Sequence, residues 1–174
     1  MNLWFISDLM LDKQAPKALF DEWDHSIRKT DGVVLLGNIA LSNKAFWFNE
    51  IKNMPGDKML FCGPLETNRP KWYEKFGMRE VIPFGETKLW LSRYGNILLS
   101  HFPAFESVAP KIENKFRKYV RKTHQEFDLN SCVLNIHGHT QGLGNEKHNT
   151  FDVSLIHGDG QKILNEEQIL QLKF

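Results

Sequence analysis

The chain has 174 residues, of which 41% are hydrophobic, and this is enough for one globular domain with a sizeable core. Its 22 Lys and Arg residues nearly balance 21 Asp and Glu residues, so net charge alone gives no attraction to nucleic acid or to an anionic membrane. No apolar stretch approaches the roughly 20 residues that span a bilayer, and the amino terminus lacks the basic region of a signal peptide. We therefore expect a cytoplasmic protein with one domain over residues 1–174 and no membrane partner.

The first half of the chain alternates predicted strands and helices. Short apolar runs at 3–7, 32–37 and 58–62 predict buried strands. Apolar residues recur at helical spacing between these runs: Leu19, Trp23 and Ile27, then Trp47, Ile51 and Met54. Ser42 or Asn43 can cap the second helix. Because two strand–helix units follow one another with short connections, we expect a parallel sheet with right-handed crossovers.

The second half adds antiparallel strands to this pattern. After a short helix that begins at Pro70, two apolar segments flank Tyr94-Gly95, which is a hairpin signal. A helix is predicted within 111–127, with strands at 133–136 and 150–156. Asn165 and Gln168 have the spacing of a capping box for a last helix. Cys62 and Cys132 lie in apolar runs without metal-ligand spacing, so we expect two buried thiols.

Polar or turn-forming residues follow five of the predicted strands. They are Asp8, Asn38, Gly63, His101 and His139. In open α/β sheets, ligand sites form outside the carboxyl ends of the strands. The sequence therefore predicts that these five residues line one cleft.

The segments around these residues resemble a known family in order and spacing. They are Asp8-Leu9-Met10, Gly37-Asn38, Gly63-Pro64-Leu65-Glu66, the lone His101, and Gly138-His139-Thr140-Gln141. The chain is similar to the calcineurin-like metallophosphoesterases, whose motifs run Asp-x-His, Gly-Asp, Gly-Asn-His-Asp/Glu, a lone His and Gly-His-x-His. The resemblance implies an α/β fold that is a four-layer α/β/β/α sandwich of two mixed sheets, with a binuclear metal site at the strand ends.

Carried over by position, the metal ligands of the family are retained only in part. Asp8, His101 and His139 remain, and Asn38 stands where the family has the Asp that bridges the two metals. Four further ligand or catalytic positions hold other residues: Met10, Pro64, Leu65 and Gln141. Since anionic ligands must offset the repulsion between two dications, a neutral amide at the bridging position weakens both sites. We expect a degenerate site with no assigned catalytic residue and no tightly bound cofactor. If the protein is active, the metal is Mn, Ni or Zn.

Other residues suggest a ligand or a partner. The basic segment Lys111–Lys122 follows His101 in the chain, and its Lys115, Lys118 and Arg121, together with His137, are candidates for binding a phosphate ester or a nucleotide. Nucleic acid is not excluded, although a solvated helix is the commoner meaning of such a pattern. An exposed Phe46 or Phe48 would mark a surface for a protein partner.

Three functional hypotheses follow from these observations. The first is a catalytically impaired phosphoesterase-like protein that is retained for binding a phosphate-bearing ligand or a protein. The second is an active phosphoesterase with one metal at His101 and His139, or with a rearranged site that recruits His137 or His148. The third is a non-enzymatic scaffold.

Overall fold

The computed structural model of the chain describes residues 1–13, 17–108, 112–140, 149–154 and 163–173. Within these ranges the fold is α/β, with two mixed sheets and five α helices, which confirms the expected class. The helices are α1 (Lys17–Ser26), α2 (Lys44–Asn53), α3 (Pro70–Glu74), α4 (Arg117–Leu129) and α5 (Glu166–Lys173). In the described ranges, none of them has the length and apolar character needed to cross a bilayer.

The first sheet has the strand order β4-β3-β2-β1-β9. Its strands are β1 (Leu3–Ile6), β2 (Gly32–Leu35), β3 (Asp57–Phe61), β4 (Met78–Ile82) and β9 (Leu164–Asn165). The four strands β1 to β4 are parallel, and β9 is antiparallel to β1. The sequence did not predict β4, because its Met-Arg-Glu-Val-Ile run carries two adjacent charges at an edge position beside β3.

The second sheet has the strand order β5-β6-β7-β8. Its strands are β5 (Thr87–Ser92), β6 (Gly95–Ser100), β7 (Leu134–His137) and β8 (Thr150–Asp152). The predicted hairpin is confirmed as the antiparallel pair β5–β6. However, β7 and β8 are parallel to β6, so the later strands are not antiparallel as we expected.

Alternate residues of each strand pack on different sides of the sheets. Phe5, Val34, Leu99 and Ile136 belong to one buried cluster that joins the two sheets and includes Ile169 of α5. The other face of the first sheet packs against α1, α2 and α3, and residues of α4 pack on the second sheet. This arrangement leaves the carboxyl ends of the parallel strands free to carry the candidate site.

Several smaller predictions can be compared with the structure. Both cysteines are buried and free, and burial raises the pKa of Cys62 to about 12. The capping box is confirmed, because Asn165 and Gln168 exchange backbone-to-side-chain hydrogen bonds of 2.9 and 3.0 Å. In the aromatic segment Phe48 is buried, whereas Phe46 is 56% exposed. Predictions for Lys111, Gln141, His148 and residues 155–156 lie outside the described residues.

Candidate functional site

The structure brings together the five residues that follow the predicted strands. Asp8, Asn38 and Gly63 follow β1, β2 and β3, while His101 follows β6 and His139 lies two residues beyond β7. An isolated bridge between Ser7 and Ser154 joins the ends of the two sheets at this point. We call the cluster of these five residues the strand-end cleft, after the cleft that the sequence predicts.

Asp8 lies at the centre of the strand-end cleft and accepts hydrogen bonds on both carboxylate oxygens. The side-chain amide of Asn38 donates to Oδ1 at 2.8 Å, and the backbone N–H of His139 donates to Oδ2 at 2.8 Å. The hydroxyls of Ser7 and Ser154 each donate to Oδ2 at 2.7 Å. Asp8 is therefore satisfied by neutral donors.

These contacts set the charge state of Asp8. Burial opposes ionisation of the carboxyl, but the charge of His101 and the donors on Ser7, His139 and Asn38 outweigh it, so the pKa of Asp8 is below its usual value. Asp8 is consequently an anion at neutral pH.

His101 and His139 form a direct imidazole pair. Nδ1 of His101 lies 2.5 Å from the carbonyl oxygen of Leu36, which can only accept, so Nδ1 carries the proton. Nε2 of His101 lies 3.0 Å from Nδ1 of His139. One of these two nitrogens therefore donates the hydrogen bond and the other accepts it.

Aromatic rings surround His139. Its ring centroid lies 4.8 Å from that of Phe102 and 5.5 Å from that of Phe116. Burial, followed by the neighbouring His101, lowers the pKa of His139 to about 4. This imidazole is therefore neutral well below pH 6.5, and it does not supply the positive charge near pH 6.5 that an ordinary histidine would.

His137 lies deeper than the imidazole pair and is only 1% exposed. Its Nδ1 donates to the carbonyl oxygen of Gly138 at 2.8 Å, and its Nε2 has no hydrogen-bond partner within the described residues. Burial lowers the pKa of His137, although Asp152 and Asp8 oppose this effect. His137 is thus a neutral, buried side chain behind the cleft.

Left-handed backbone conformations concentrate in the strand-end cleft. Asp8, Met10, Asn38 and His139 have φ angles of 53°, 49°, 55° and 71°. Such conformations cost about 1–3 kcal/mol each in a non-glycine residue and cluster at functional sites. Among the described residues, four of the six non-glycine residues with left-handed backbone therefore lie at or next to the strand ends.

Two glycines allow the close approach of these segments. Gly37 has φ +88°, and a Cβ at this position would lie 2.6 Å from Nδ1 of His101. A Cβ on Gly138 would lie 1.9 Å from the Ser7 hydroxyl and 2.8 Å from Oδ2 of Asp8. A larger residue at either position would displace the groups that the cleft brings together.

A carboxylate that the sequence analysis did not assign links two loops of the cleft. Glu66 accepts hydrogen bonds from the backbone N–H groups of Asn38, Ile39 and Gly63. We call these three donors the amide nest. Because Glu66 fills the nest, these loop amides do not face an external phosphate.

The side chains around the cleft can be tested against the binuclear metal site that the resemblance implies. Asn38 directs its N–H towards Asp8, because the carboxylate can only accept, and so offers no anionic oxygen between two metals. Within the described ranges, no three His, Cys, Asp or Glu side chains are arranged to hold a metal ion. Pro64 and Leu65 have no side-chain donor atoms. Asn38 therefore gives the described set no second carboxylate beside Asp8.

The basic residues of the 3₁₀ turn Asn114–Phe116 and of α4 lie near the cleft, because Phe116 of that turn contacts His139. Lys115 and Arg121 have side chains 64% and 69% exposed and form ion pairs with Glu113 and Glu106. Lys118 lies 4.8 Å above the ring of Tyr119. The acidic partners reduce the positive potential that the sequence predicts along this segment.

Arg121 also lines a pocket of about 400 Å³ between α4 and the segment after Phe102. Its wall includes Ala104, Phe105, Glu106, Val120 and His124. None of the five strand-end residues lines this pocket. The basic residues are thus divided between the rim near Phe116 and a second depression farther along α4.

Comparisons with known proteins give a likeness of fold. No protein-family model matches the chain, and no curated protein matches it. A protein of unknown function from Aquifex aeolicus, solved by crystallography, is 20% identical with a TM-score of 0.77, and the match covers 98% of both chains. An archaeal phosphodiesterase is 13% identical with a TM-score of 0.54, covering 95% of this chain and 98% of that one. At these identities the likeness concerns the fold alone.

Three polar residues contribute to the cleft beyond the predicted set: Ser7, Glu66 and Ser154. Glu66 occupies the fourth position of the Gly63-Pro64-Leu65-Glu66 segment, where the family pattern has an acidic residue, so the motif could have identified it. The hydroxyl oxygen of Ser154 lies 2.7 Å from Oδ2 of Asp8 and 2.6 Å from Oδ1 of Asp152. Nothing in the local sequence signals this contact, since it joins positions 8 and 154.

Proposed function

We propose that this chain is a metallophosphoesterase-like protein of the calcineurin-like four-layer fold, catalytically impaired and retained for binding. The order of the strand-end motifs supports the family, and the likeness to the archaeal phosphodiesterase supports a phosphoesterase-like fold. The meeting of Asp8, Asn38, His101 and His139 supports the cleft as the functional site.

The observation that carries the proposal is the hydrogen bond from Asn38 to Asp8. In a two-metal site a carboxylate at this position would offset the repulsion between the cations. The amide of Asn38 instead donates a hydrogen bond to Asp8, the one buried carboxylate of the set, and so stabilises this carboxylate as a cation would. Because neutral donors already stabilise the negative charge of Asp8, the cleft does not need two metal ions to do so.

Metal analysis and turnover together test impairment. We expect native protein that has been exposed to Mn²⁺, Ni²⁺ or Zn²⁺ and then desalted to hold no stoichiometric metal pair. We also expect little or no hydrolysis of p-nitrophenyl phosphate or bis(p-nitrophenyl) phosphate. Two retained metals per chain, or metal-dependent turnover that Asp8→Ala abolishes, would contradict the proposal. Asp12→Ala, an exposed carboxylate on the same loop, is the matched control.

A phosphate-bearing ligand is the binding partner that the surroundings of the cleft favour. Nζ of Lys115 lies 4.8 Å from the ring centroid of Phe116, which in turn contacts His139, so a cation lies at the rim. Since Glu66 fills the amide nest, binding would depend on Lys115 and Lys118 rather than on loop amides. A protein partner at the exposed ring of Phe46 remains the alternative kind of ligand.

A second candidate function rests on the separation within the imidazole pair. The 3.0 Å between Nε2 of His101 and Nδ1 of His139 fits a hydrogen bond. It also fits two ligands of one ion, because Zn–N bonds of about 2.0–2.1 Å at roughly 90–110° place the nitrogens about 2.8–3.4 Å apart. One Zn²⁺ per chain, lost in His101→Asn and accompanied by turnover, would favour a single-metal phosphoesterase.

A further inference from the structure

Two separate loops direct backbone donors at one point. The N–H groups of Asn38 and Gly63 donate to Oε2 of Glu66 at 2.8 Å each, and that of Ile39 donates to Oε1 at 2.9 Å. Asn38 and Ile39 belong to the loop after β2, whereas Gly63 belongs to the loop after β3. Converging main-chain N–H groups of this kind form a concave site for an anion.

The anion in this nest depends on the main chain for its stabilisation. Glu66 is 6% exposed, and it forms none of the ion pairs found among the described residues. Hydrogen bonds from N–H groups to a carboxylate are roughly twice as strong as neutral ones. Three of them therefore compensate for the removal of this carboxylate from water.

The same residues that hold Glu66 also face the strand-end cleft. The backbone of Asn38 binds Glu66, and its side chain donates to Asp8. Gly63 packs so closely on His101 that a Cβ would lie 2.8 Å from its Cε1. The loop that carries Glu66 is also tied to α2, because Nζ of Lys44 donates to the carbonyl oxygen of Leu65.

We propose that the amide nest is a binding site for a carboxylate, that Glu66 is its built-in occupant, and that Glu66 is the positioning residue of the cleft. Its carboxylate fixes the left-handed backbone of Asn38 and the close packing of Gly63, and so sets where Asn38 meets Asp8. When Glu66 is truncated, the three N–H donors of the nest remain and bind a small free carboxylate such as formate or acetate. This assignment does not depend on what the cleft binds, so it can fail without affecting the proposed function.

Chemical rescue followed by NMR tests the proposal. In Glu66→Ala we expect the backbone amide resonances of Asn38, Ile39 and Gly63 to move upfield, together with the side-chain amide of Asn38. Sodium formate should return them saturably towards their native positions and raise Tm, whereas sodium chloride at equal ionic strength should do neither. Glu113→Ala removes an exposed glutamate and is the matched control, with no change at these resonances.

The outcomes separate a positioning role from simple loss of stability. If Glu66→Ala folds but its nest amide resonances do not shift with formate, or shift equally with chloride, the anion site is refuted. A return of the backbone amides without the Asn38 side chain would overturn the positioning role. If Glu66→Ala does not fold with formate present, Glu66→Gln decides. One amide oxygen can serve only one side of the nest, so some nest amides must shift, and a native-like spectrum would refute the proposal.

Discussion

The side-chain nitrogen of Asn38 lies 2.8 Å from Oδ1 of Asp8, and both side chains are buried. A neutral donor and a carboxylate can share this position without a cation, whereas two ionised carboxylates repel each other. The identity of residue 38 therefore decides whether the cleft is stable as the bare protein.

Asn38→Asp should destabilise the metal-free protein. It places a second carboxylate against Asp8, and an uncompensated buried charge costs about 3–5 kcal/mol. One carboxyl of the pair acquires a raised pKa, so the loss should shrink as pH falls and that group binds a proton. Urea unfolding in EDTA at several pH values measures this. Asn43→Asp, at the start of α2, also has a left-handed backbone and should cost little. An Asn38→Asp protein as stable as the native one at pH 8 would contradict the contact.

We also expect no phosphoesterase activity from the Asn38→Asp variant, because Met10, Pro64, Leu65 and Gln141 are unchanged.

His139 should make the native protein less stable between about pH 6.5 and pH 4. Its pKa is lowered to about 4 in the fold, whereas an unfolded histidine titrates near 6.5, so the unfolded state binds more protons in this window. Stability is therefore full above roughly pH 6.5 and declines as pH falls towards 4. His139→Asn, which tolerates the left-handed backbone, should flatten this part of the melting profile. His25→Asn, on the exposed side of α1, should leave the profile unchanged. An imidazole of His139 that titrates near pH 6.5 by NMR would refute the prediction.

Gly138→Ala should disrupt the hydrogen bonds around Asp8. The new methyl group would overlap the Ser7 hydroxyl, and overpacking of this kind typically costs about 1–3 kcal/mol. Because removal of that hydroxyl relieves part of the overlap, Ser7→Ala should reduce the cost of Gly138→Ala in a double-mutant cycle. Gly32→Ala is a control, since its φ lies outside the left-handed region and its methyl group would meet only Cδ1 at the end of the Leu3 side chain. Strict additivity of the Gly138 and Ser7 changes in unfolding free energy would contradict the geometry.

Nucleotide binding, where it occurs, should be weak and sensitive to salt. Calorimetric titration with mono- and dinucleotides at low salt should give less heat for Lys115→Ala/Lys118→Ala/Arg121→Ala than for the native protein. Lys52→Ala/Lys71→Ala/Lys75→Ala removes the same charge from another surface and should match the native protein. Any gain in affinity from protonating His139 should appear only as pH approaches 4. If none of the three proteins shows heat of binding or a shift in Tm, the ligand-binding hypothesis fails and the scaffold hypothesis takes its place.

The sequence identified the elements that local patterns determine. The strands with continuous apolar runs, the helices with apolar residues at helical spacing, and the capping box at Asn165 all appear in the structure. Edge strand β4 was missed because its pattern is set by pairing with β3 rather than by local hydrophobicity. The parallel direction of β7 and β8 was missed for the same reason, since strand direction depends on partners distant in the chain.

The sequence by itself also determined which residues stand at the strand ends, and with them the neutral amide at position 38. Only the tertiary structure decided how these residues are used. Ser154 reaches Asp8 across 146 positions, and Glu66 fills the amide nest with donors from two different loops. The burial that keeps His139 neutral comes from Phe102 and Phe116, which belong to other segments. Hydrogen-bond partners and desolvation depend on distances in space, and a motif in the sequence specifies only which groups are available.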